Sequence, residues 1–489
     1  MLGEALTDSI MPTLINDNKG ILAQALKSAA AKDVSVKVYI DDWWESVQME
    51  YMHDEQDPYL AYSKVVLIDW LNKLLFANLI QNQFDAAKTI GDISTGCKIN
   101  QAIDVFNYIT EVCDFYNVFR MLPFSDLLPQ ETWEDVITFN ELLSECDMAE
   151  LKQDYTHRIL EESISVSKRQ IAGQYPTPEP LAQLLSEIAV RDSYGNAWDC
   201  CCGTGTIGCS LWSRKRDLLA EIDTNAKKTA YETTWLSDIH DFPLQIATQS
   251  FSALSPLRLP LRVVRKNVFN AKAQEPVQLI DPITGNKESF EFPLFKSIAS
   301  NLPFVDFNTT EITVYDAIKR EMRDSFHREY NISLSDRNDL YCYITLFLDT
   351  MLDNEGYMCL LTSNSWLCTS AGDSFMSALQ ATFDIDSIYV NGTNRWFNNA
   401  DVMNAILVLK KKTRNSKPVC YMGSINSSLD DLANPEIRNK ISRKIISHSS
   451  ECNLVSESQV SWGEMSQLRS LGLSYYTMCH DVSFILNLT

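Results

Sequence analysis

The first third of the chain places apolar residues at three- and four-residue intervals. This spacing is clearest in residues 63–80 and 101–115, and it returns in an acidic stretch, residues 133–151. Side chains three and four positions apart share one face of a helix, so the spacing predicts helices that pack through one side. We therefore expect residues 1–165 to form a mainly helical N-terminal domain.

Beyond this region the pattern changes to short, continuous apolar runs that alternate with helical spacing. The runs predicted to be strands are residues 195–199, 234–240, 261–269, 294–299, 356–362, 385–390 and 402–409. The stretches predicted to be helices are residues 181–190, 242–251, 339–352 and 374–383. Such alternation is typical of an α/β fold and predicts a Rossmann-like open sheet with helices on both faces. The last two strands are expected to form an antiparallel hairpin.

Chain length and local composition predict how the sequence divides into domains. A chain of 489 residues is long for one domain and indicates two or three. We expect the sheet domain to span residues 166–415 and a helical or mixed extension to span residues 416–489, with helix-like spacing in residues 427–446. The charged segment 274–293 is predicted to be a linker with a turn or hairpin at its centre.

A glycine-rich turn follows the first predicted strand. The sequence Asp199-Cys-Cys-Cys-Gly-Thr-Gly205, called here the glycine loop, is followed by residues that can start a helix. A strand, a glycine-rich turn and a helix together make a nucleotide-binding unit, because Gly203 and Gly205 let backbone N–H groups approach a ligand at a helix N-terminus. Turns of this kind are common in α/β proteins, so the loop alone does not identify a function.

Two further motifs flank the glycine loop. Gly173-Gln-Tyr-Pro-Thr-Pro178 precedes it, and Asn301-Leu-Pro-Phe304, called here the Asn301 element, follows the apolar run 294–299. With these three motifs in this order, the sequence resembles the DNA adenine-N6 methyltransferases that use S-adenosylmethionine, including the modification subunits of type I restriction systems. The resemblance covers about residues 165 to 412 and implies a class I methyltransferase sheet.

The resemblance implies a set of cofactor-binding positions. Tyr175, Thr177 and Pro178 match the element that lies along the methionine part of S-adenosylmethionine. Asp199 would accept a hydrogen bond from the methionine amino group or order the loop. An ordinary helix start, with Thr177 as N-cap and Pro178 in the first turn, explains the upstream motif equally well.

Two later strand ends carry the other cofactor positions. Asp238, after the second strand, is the candidate acceptor for ribose hydroxyls, although it lies farther from Asp199 than the usual spacing of about 20 residues. Asn267 stands where the family commonly has an acid that reads the adenine amino group, and Phe269 would lie beside the ring. Asn267 can accept from an amino group, but a turn residue at a strand end is the alternative.

The Asn301 element carries the predicted chemistry. Methyl transfer to adenine N6 requires the amino lone pair to face the sulfonium methyl group, so correct placement supplies much of the rate. The Asn301 side-chain oxygen and the Leu302 carbonyl would accept hydrogen bonds from the two amino hydrogens. Pro303 follows them in the element, and Phe304 would stack on a flipped adenine. The family usually has proline in place of Leu302. This difference is either a tolerated variant, which we favour, or the sign of a weakened enzyme. The simplest alternative is a strand-end turn.

Charge argues for help from other chains in holding DNA. Residues 1–165 carry 28 Asp and Glu against 11 Lys and Arg, a net charge of −17 out of −22 for the whole chain. Phosphate contacts need Lys and Arg, so the N-terminal domain is not expected to lie against phosphate. A basic cluster, residues 410–417, is expected to be a solvated loop with phosphate contact as the alternative.

Composition limits the remaining possibilities. The sequence has no apolar run of about 18 residues and no basic-then-apolar N-terminus, so no membrane span or secretory signal is expected. The 13 cysteines are odd in number and mostly lie in apolar runs, which indicates reduced thiols in a cytoplasmic protein. The adjacent residues Cys200, Cys201 and Cys202 cannot all face one ion without strain, and no matching Cys or His pair follows, so no metal site is expected.

Together these observations predict an S-adenosylmethionine-dependent DNA adenine-N6 methyltransferase, the modification component of a restriction–modification or phage-defence system. The expected partners are double-stranded DNA with a flipped adenine and separate specificity or endonuclease subunits. Two alternatives stay open: a methyltransferase acting on RNA or protein, and a non-catalytic DNA-binding or scaffold subunit with a decayed methyltransferase fold.

Overall fold

The structure, a computed structural model, describes most of the chain. The described residues are 5–51, 56–81, 84–113, 116–146, 177–239, 243–244, 247–248, 250–251, 259–280, 286–303, 313–392, 396–397, 403–413 and 418–480. Two compact units are present. One comprises residues 1–174, 240–261 and 278–289, and the other comprises residues 175–239, 262–277 and 290–489.

The first unit contains the helices of the N-terminal region. Its α-helices are α1 (Met11–Ala30), α2 (Val34–Tyr51), α3 (Pro58–Ile80), α4 (Ile99–Cys113), α5 (Tyr116–Phe119) and α6 (Gln130–Glu145), with a π-helix at Leu6–Ile10 and a 3-10 helix at Asp85–Asp92. The prediction of a mainly helical N-terminal region is confirmed. Among the described helices, none is both long enough and apolar enough to cross a membrane.

Helix α3 is the centre of this unit because it is apolar on every side. Trp70, Leu71 and Leu74 are fully buried among side chains of the surrounding helices. Asp69 and Lys73, one turn apart on α3, form a buried ion pair. A helix that is apolar all round must lie inside a bundle, which is the position that α3 occupies.

The second unit is built on a nine-stranded sheet. Its strands are β1 (Ala197–Asp199), β2 (Thr234–Asp238), β3 (Val263–Arg265), β6 (Phe295–Asn301), β7 (Leu352–Ser363), β8 (Phe383–Asn391), β9 (Asn404–Lys411), β10 (Val419–Ile425) and β11 (Val455–Ser461). The two remaining strands, β4 (Pro276–Ile280) and β5 (Lys287–Glu291), pair with each other as a separate two-stranded sheet. The hairpin predicted within residues 274–293 is therefore present, while its turn, residues 281–285, lies outside the described residues.

The strand order of the large sheet is β11-β10-β8-β9-β7-β6-β1-β2-β3. Strands β3, β2, β1, β6 and β7 are parallel to their neighbours in that series. Strand β9 is antiparallel to both β7 and β8, which confirms the predicted terminal hairpin. The order reverses between β1 and β6, so the carboxyl ends of these two strands lie at a topological switch point, where open α/β sheets bind ligands.

Helices cover both faces of this sheet. The α-helices of the second unit are α7 (Glu179–Ala189), α8 (Thr206–Leu219), α9 (Ala226–Glu232), α10 (Thr313–Tyr330), α11 (Leu340–Phe347), α12 (Ala371–Thr382), α13 (Leu429–Ala433), α14 (Pro435–Ser447), α15 (Trp462–Ser470) and α16 (Tyr475–Met478). Successive residues of a strand point to opposite faces, and in β9 the residues from Asn404 to Leu409 are all buried. The predicted Rossmann-like α/β sheet is confirmed.

Two predicted elements differ from the structure at their ends. The strand predicted over residues 261–269 is shorter, because the Asn267 side chain accepts the Phe269 N–H at 3.1 Å and starts a 3-10 turn at Val268–Asn270. The helix predicted over residues 339–352 ends earlier, because Leu352 already pairs with Phe295 as the first residue of β7. Of residues 242–251, predicted to be a helix, the described residues 243–244, 247–248 and 250–251 are helical, and the others lie outside the described residues.

The C-terminal region contributes two strands that the sequence pattern did not indicate. Strand β10 pairs in parallel with β8, and β11 pairs antiparallel with β10. The helical spacing of residues 427–446 corresponds to α13 and α14, with Ser428 and Asn434 as their N-caps. Residues 418–480 therefore extend the sheet.

Candidate active site

The glycine loop takes the backbone geometry that only glycine adopts without strain. Gly203 has a φ of +50° and Gly205 a φ of +92°, and Gly205 is the N-cap of α8. A Cβ atom placed on Gly203 would meet nothing within 4 Å, so the backbone there borders open space. The loop thus offers a surface where a ligand can come close to the chain.

Gly208 completes this arrangement, and the sequence interpretation did not include it. A Cβ atom at Gly208 would lie 2.4 Å from Leu236 Cδ2, so α8 packs directly on β2 only because this residue has no side chain. The spacing Gly203-x-Gly205-x-x-Gly208 is the pattern of dinucleotide-binding turns, whose third glycine permits close packing of helix and strand. The spacing of the three glycines in the sequence could have predicted this packing role of Gly208.

The end of β2 holds the glycine loop from one side. Asp238 Oδ2 accepts the Gly203 N–H at 2.9 Å, and the Ser237 carbonyl accepts the Cys202 N–H at 2.9 Å. Asp238, predicted as the ribose acceptor, is buried. One of its oxygens therefore fixes the loop, and its contact with ribose stays a prediction.

The end of β6 holds the loop from the other side. The Ser300 hydroxyl donates to Asp199 Oδ1 at 2.8 Å and accepts the Cys201 N–H at 3.2 Å. Ser300 and Asp199 have 0% and 1% of their surface exposed, so these bonds are shielded from water. Of the two roles predicted for Asp199, the ordering of the loop has direct geometric support.

Asp199 has an unusual acidity. Burial raises the pKa of its carboxyl group to about 7, with a smaller contribution from the nearby Asp238, while hydrogen bonds from Ser300 and from the backbone N–H groups of Cys201 and Gly208 lower it. A buried acid with a raised pKa is held partly neutral near pH 7. It would be ionised more readily beside a cationic ligand.

The Asn301 element begins where β6 ends. Asn301 is the last residue of β6 and pairs with Leu361 of β7. The Leu302 N–H donates to the Leu361 carbonyl at 3.0 Å, and the Leu302 side chain is fully buried. Proline, the usual residue of the family here, has no N–H to make this bond. Pro303 is half-buried, and Phe304 lies outside the described residues.

Aromatic side chains surround the predicted adenine-reading position. The Phe269 ring makes edge contacts with Phe347 and Tyr315, at centroid distances of 5.5 Å and 6.1 Å. Burial raises the pKa of the Tyr315 hydroxyl, and a hydrogen bond to Asn267 partly opposes that effect. Asn267 thus caps the 3-10 turn, as the alternative proposed, and its carbonyl oxygen keeps a second lone pair for a ligand. Tyr315, on α10, was not predicted from the sequence.

The upstream motif forms a helix start that differs by one residue from the prediction. Pro178, not Thr177, is the N-cap of α7, because its carbonyl accepts the N–H groups of Leu181 and Ala182. Thr177 is buried and makes no side-chain cap. Tyr175 lies outside the described residues, so its predicted contact with the cofactor stays a prediction.

The three adjacent cysteines are part of the glycine loop. Cys200 and Cys202 are buried, and burial raises the pKa of the Cys202 thiol. The Cys200 carbonyl accepts a hydrogen bond from the Ser237 hydroxyl at 3.2 Å. Within the described ranges, no group of three His, Cys, Asp or Glu side chains has a metal-binding arrangement. The cysteines whose side chains the structure describes are free thiols, and Cys368 among them is exposed.

The described lysines of the basic cluster make contacts within the chain. Lys411 Nζ lies 2.9 Å from Asp349 Oδ1, and Lys412 donates to the carbonyl groups of Gln380 and Ala381. Lys410 lies over the Tyr357 ring. These side chains hold the end of β9, so the described part of the cluster is not a purely solvated loop.

Comparisons with known proteins identify the class of this fold. No protein-family model matches the sequence, and no curated protein sequence matches it. Solved structures do match: the chain shares the methyltransferase-like fold found in restriction–modification enzymes. At the identities observed, the likeness concerns the fold.

Three of the similar structures illustrate it. The type I restriction-modification methyltransferase subunit from Streptococcus thermophilus is 13% identical, with a TM-score of 0.50, and the match covers 94% of this chain and 99% of that one. The type IIG restriction endonuclease BpuSI is 12% identical, with a TM-score of 0.54 and coverages of 89% and 46%. The Type ISP enzyme LlaGI, solved with a DNA substrate mimic, is 13% identical, with a TM-score of 0.56 and coverages of 91% and 37%. This chain therefore spans less than half of BpuSI and of LlaGI.

Proposed function

We propose that this protein transfers a methyl group from S-adenosylmethionine to the N6 atom of adenine in DNA. The observation that carries the proposal is the hydrogen bond between Ser300 and Asp199, because it joins the glycine loop directly to the strand that ends in Asn301. A cofactor loop and an Asn-x-Pro element at adjacent strand ends are what methyl transfer from a bound nucleoside to a base amino group requires.

The glycine loop suits the proposed cofactor. Open space borders Gly203, where a nucleoside or an amino-acid moiety can approach the backbone. The buried carboxyl groups of Asp199 and Asp238 favour a ligand with positive charge. When bound, S-adenosylmethionine supplies an electrophilic methyl group on a sulfonium centre. We assign Thr177, Pro178 and Tyr175 to the methionine side of the site, and Asn267 and Phe269 to the adenine side.

The Asn301 element would receive the substrate base. The Asn301 side-chain oxygen and the Leu302 carbonyl are the proposed acceptors of the two N6 hydrogens, which turns the lone pair toward the methyl group. Phe304 is the proposed stacking partner of the flipped adenine, and Pro303 keeps the backbone extended between them. No residue of the element has to donate or remove a proton before transfer.

Leu302 supports an active enzyme rather than a decayed one. Its N–H continues the ladder between β6 and β7, and its side chain is buried. The hydrogen bond to Leu361 restricts the same backbone that a second proline would restrict.

We also propose that the chain works with partner subunits. The net charge of −17 in residues 1–165 is unfavourable for phosphate contact. LlaGI, whose solved structure contains a DNA substrate mimic, shares the fold and is much longer than this chain. We infer that specificity or endonuclease subunits supply part of the DNA contact, in the cytoplasm, where DNA and reduced thiols occur together.

The decisive experiment is single-molecule sequencing of DNA from cells that express this chain with its genomic neighbours. We expect N6-methyladenine in one sequence context, and we expect Asn301→Ala to remove it while the affinity for S-adenosylmethionine stays within a few-fold. Equal methylation by the variant would remove Asn301 from the catalytic role. Unmodified DNA in both cultures would contradict the proposed substrate and leave RNA, protein or a binding-only role.

A further inference from the structure

We propose that Ser300 is a positioning residue, whose hydroxyl group locks the Asn301 element to the glycine loop so that cofactor binding and adenine placement depend on one buried contact. The inference rests on the proposed function and adds a residue that neither the sequence motifs nor the fold comparison indicates.

The Ser300 hydroxyl connects strand β6 to the glycine loop rather than stabilising β6 itself. It donates to Asp199 Oδ1 at 2.8 Å and accepts the Cys201 N–H at 3.2 Å, and both partners belong to the glycine loop. β6 already pairs with β1 through Ala197 opposite Ser297 and Trp198 opposite Ile298. The hydrogen bonds of the Ser300 side chain extend this attachment past the paired residues, to the carboxyl ends of β1 and β6.

Position in the chain gives this contact its consequence for catalysis. Ser300 directly precedes Asn301, so a rotation or shift of its backbone moves the Asn301 carboxamide. The bonds are fully shielded, since Ser300 has 0% of its surface exposed. A misplacement on the order of 1 Å of a positioned group can cost about a hundredfold in rate. Loss of the hydroxyl group is therefore expected to lower kcat more than it changes KM for DNA.

The same contact controls the charge of the cofactor loop. The hydrogen bond from Ser300 lowers the pKa of Asp199, against burial and Asp238, which raise it to about 7. Besides Asp238 on β2, the titratable groups that face Asp199 are the Cys201 and Cys202 thiols of the loop. Burial raises the pKa of the Cys202 thiol, and a hydrogen bond with Cys200 raises the pKa of the Cys201 thiol. Both thiols therefore stay protonated near neutral pH, where Asp199 changes its charge.

The test compares Ser300→Ala with Ser297→Ala. Ser297 lies on the same strand, is also fully buried, and its hydroxyl has no hydrogen-bond partner among the described residues, so it matches the loss of volume and of a buried hydroxyl group without the loop contact. Binding of S-adenosylhomocysteine is measured by calorimetry between pH 5.5 and 8.5. Melting temperatures, and kcat and KM for DNA, are measured on the same preparations.

In the wild-type protein, affinity for S-adenosylhomocysteine should fall as Asp199 becomes protonated on the acidic side. In Ser300→Ala the midpoint of this fall should move upward by about one to two pH units, because the variant loses a hydrogen bond that favours the charged form of Asp199. kcat should drop roughly tenfold or more. Ser297→Ala should keep both the midpoint and kcat of the wild type.

Two outcomes would overturn the inference. One is a Ser300→Ala protein with the midpoint and kcat of Ser297→Ala. The other is a lower melting temperature without a moved midpoint, which would make Ser300 merely structural. Failure of the proposed function looks different, because the wild-type protein itself would then bind no S-adenosylhomocysteine. A double variant, Asp199→Asn with Ser300→Ala, should show no pH midpoint, which assigns the titration to Asp199.

Discussion

Asp199 combines a carboxyl group with almost complete burial, and its protonation state is open to direct measurement. Burial raises its pKa from 3.8 to about 7. A folded-state pKa above the unfolded value means that the folded protein binds this proton more tightly. The carboxyl group therefore costs no stability below about pH 4. The cost grows between about pH 4 and pH 7, where the carboxyl group is ionised in the unfolded chain but protonated in the folded protein, and it is constant at higher pH.

Asp199→Asn should consequently stabilise the ligand-free protein in a pH-dependent way. Asparagine keeps an oxygen that accepts from the Ser300 hydroxyl and removes the buried charge. The gain in free energy of unfolding should be about 1–2 kcal/mol at pH 5 and about 4 kcal/mol at pH 8, measured by urea unfolding at both values. The same variant should bind S-adenosylhomocysteine more weakly.

A matched control is Asp430→Asn, since Asp430 is exposed on α13. Its stability difference from the wild type should be the same at pH 5 and pH 8. An Asp199→Asn protein that is equally destabilised at both pH values would show that the pKa of Asp199 is not raised in the folded protein.

At this scale the sequence predicted residue types better than residue contacts. Asp199 and the two loop glycines were proposed from the glycine loop, because the spacing of a turn is local in the chain, and Asp238 was proposed from the end of the second strand. Ser300 and Tyr315 were missed, since their importance comes from partners that are far away in sequence. Thr177 was misassigned as a cap by one position, because either carbonyl of a Thr-Pro pair can start a helix.

Among the elements, the junction of β6 and β7 decides how the Leu302 departure should be understood. The Leu302 N–H bonds the Leu361 carbonyl, and the side chain fills a buried position. Both features would be lost in proline, which cannot donate and is smaller. The local structure is therefore adapted to leucine.

Leu302→Pro, which restores the usual residue of the family, should destabilise this protein. An unsatisfied buried carbonyl and an underfilled site together cost about 2–4 kcal/mol, seen as a lower denaturant midpoint. We expect no gain in kcat. Leu302→Met, which keeps the N–H and a similar volume, should retain stability and activity. A proline variant that is more active than the wild type would favour a decayed site.

Elements with strong periodicity were predicted well from the sequence, and those set by pairing were not. Helices α3, α4 and α7 and strands β6, β8 and β9 follow their apolar patterns. β11 has the polar sequence Val455-Ser-Glu-Ser-Gln-Val-Ser461 and is a strand because β10 pairs with it. The predicted helix over residues 339–352 was too long, since the apolar residues around Leu352 suit a helix or a strand equally.

For the whole molecule, a network at the outer part of the sheet links stability to pH. His448, at the end of α14, lies 3.1 Å from Glu457 of β11 and 3.5 Å from Asp386 of β8, and its ring stacks on Tyr421. Burial would lower the pKa of His448, but Asp386 and Glu457 outweigh it and raise the pKa to about 8. Lys444 pairs with the same Glu457.

The wild-type protein should therefore lose stability as the medium becomes alkaline. A histidine with a raised pKa contributes fully below its ordinary value of 6.5, and this contribution is lost as pH rises through about 8. We expect a loss of about 1–2 kcal/mol between pH 6 and pH 9, measured by chemical unfolding. His448→Asn, which suits the left-handed backbone at this residue, should remove this part of the slope; a slope identical to that of the wild type would contradict the assignment.

The contact between Asp199 and Ser300 also sets an order of events during synthesis. The two residues are 101 positions apart, and ribosomes add about 5–20 residues per second. The glycine loop must therefore wait roughly 5–20 seconds for its partner strand, with its carboxyl group in water and ordinarily acidic. The pKa of the carboxyl group rises only when β6 pairs with β1 and buries it. The nascent chain therefore forms its binding site in one late step rather than in several early ones.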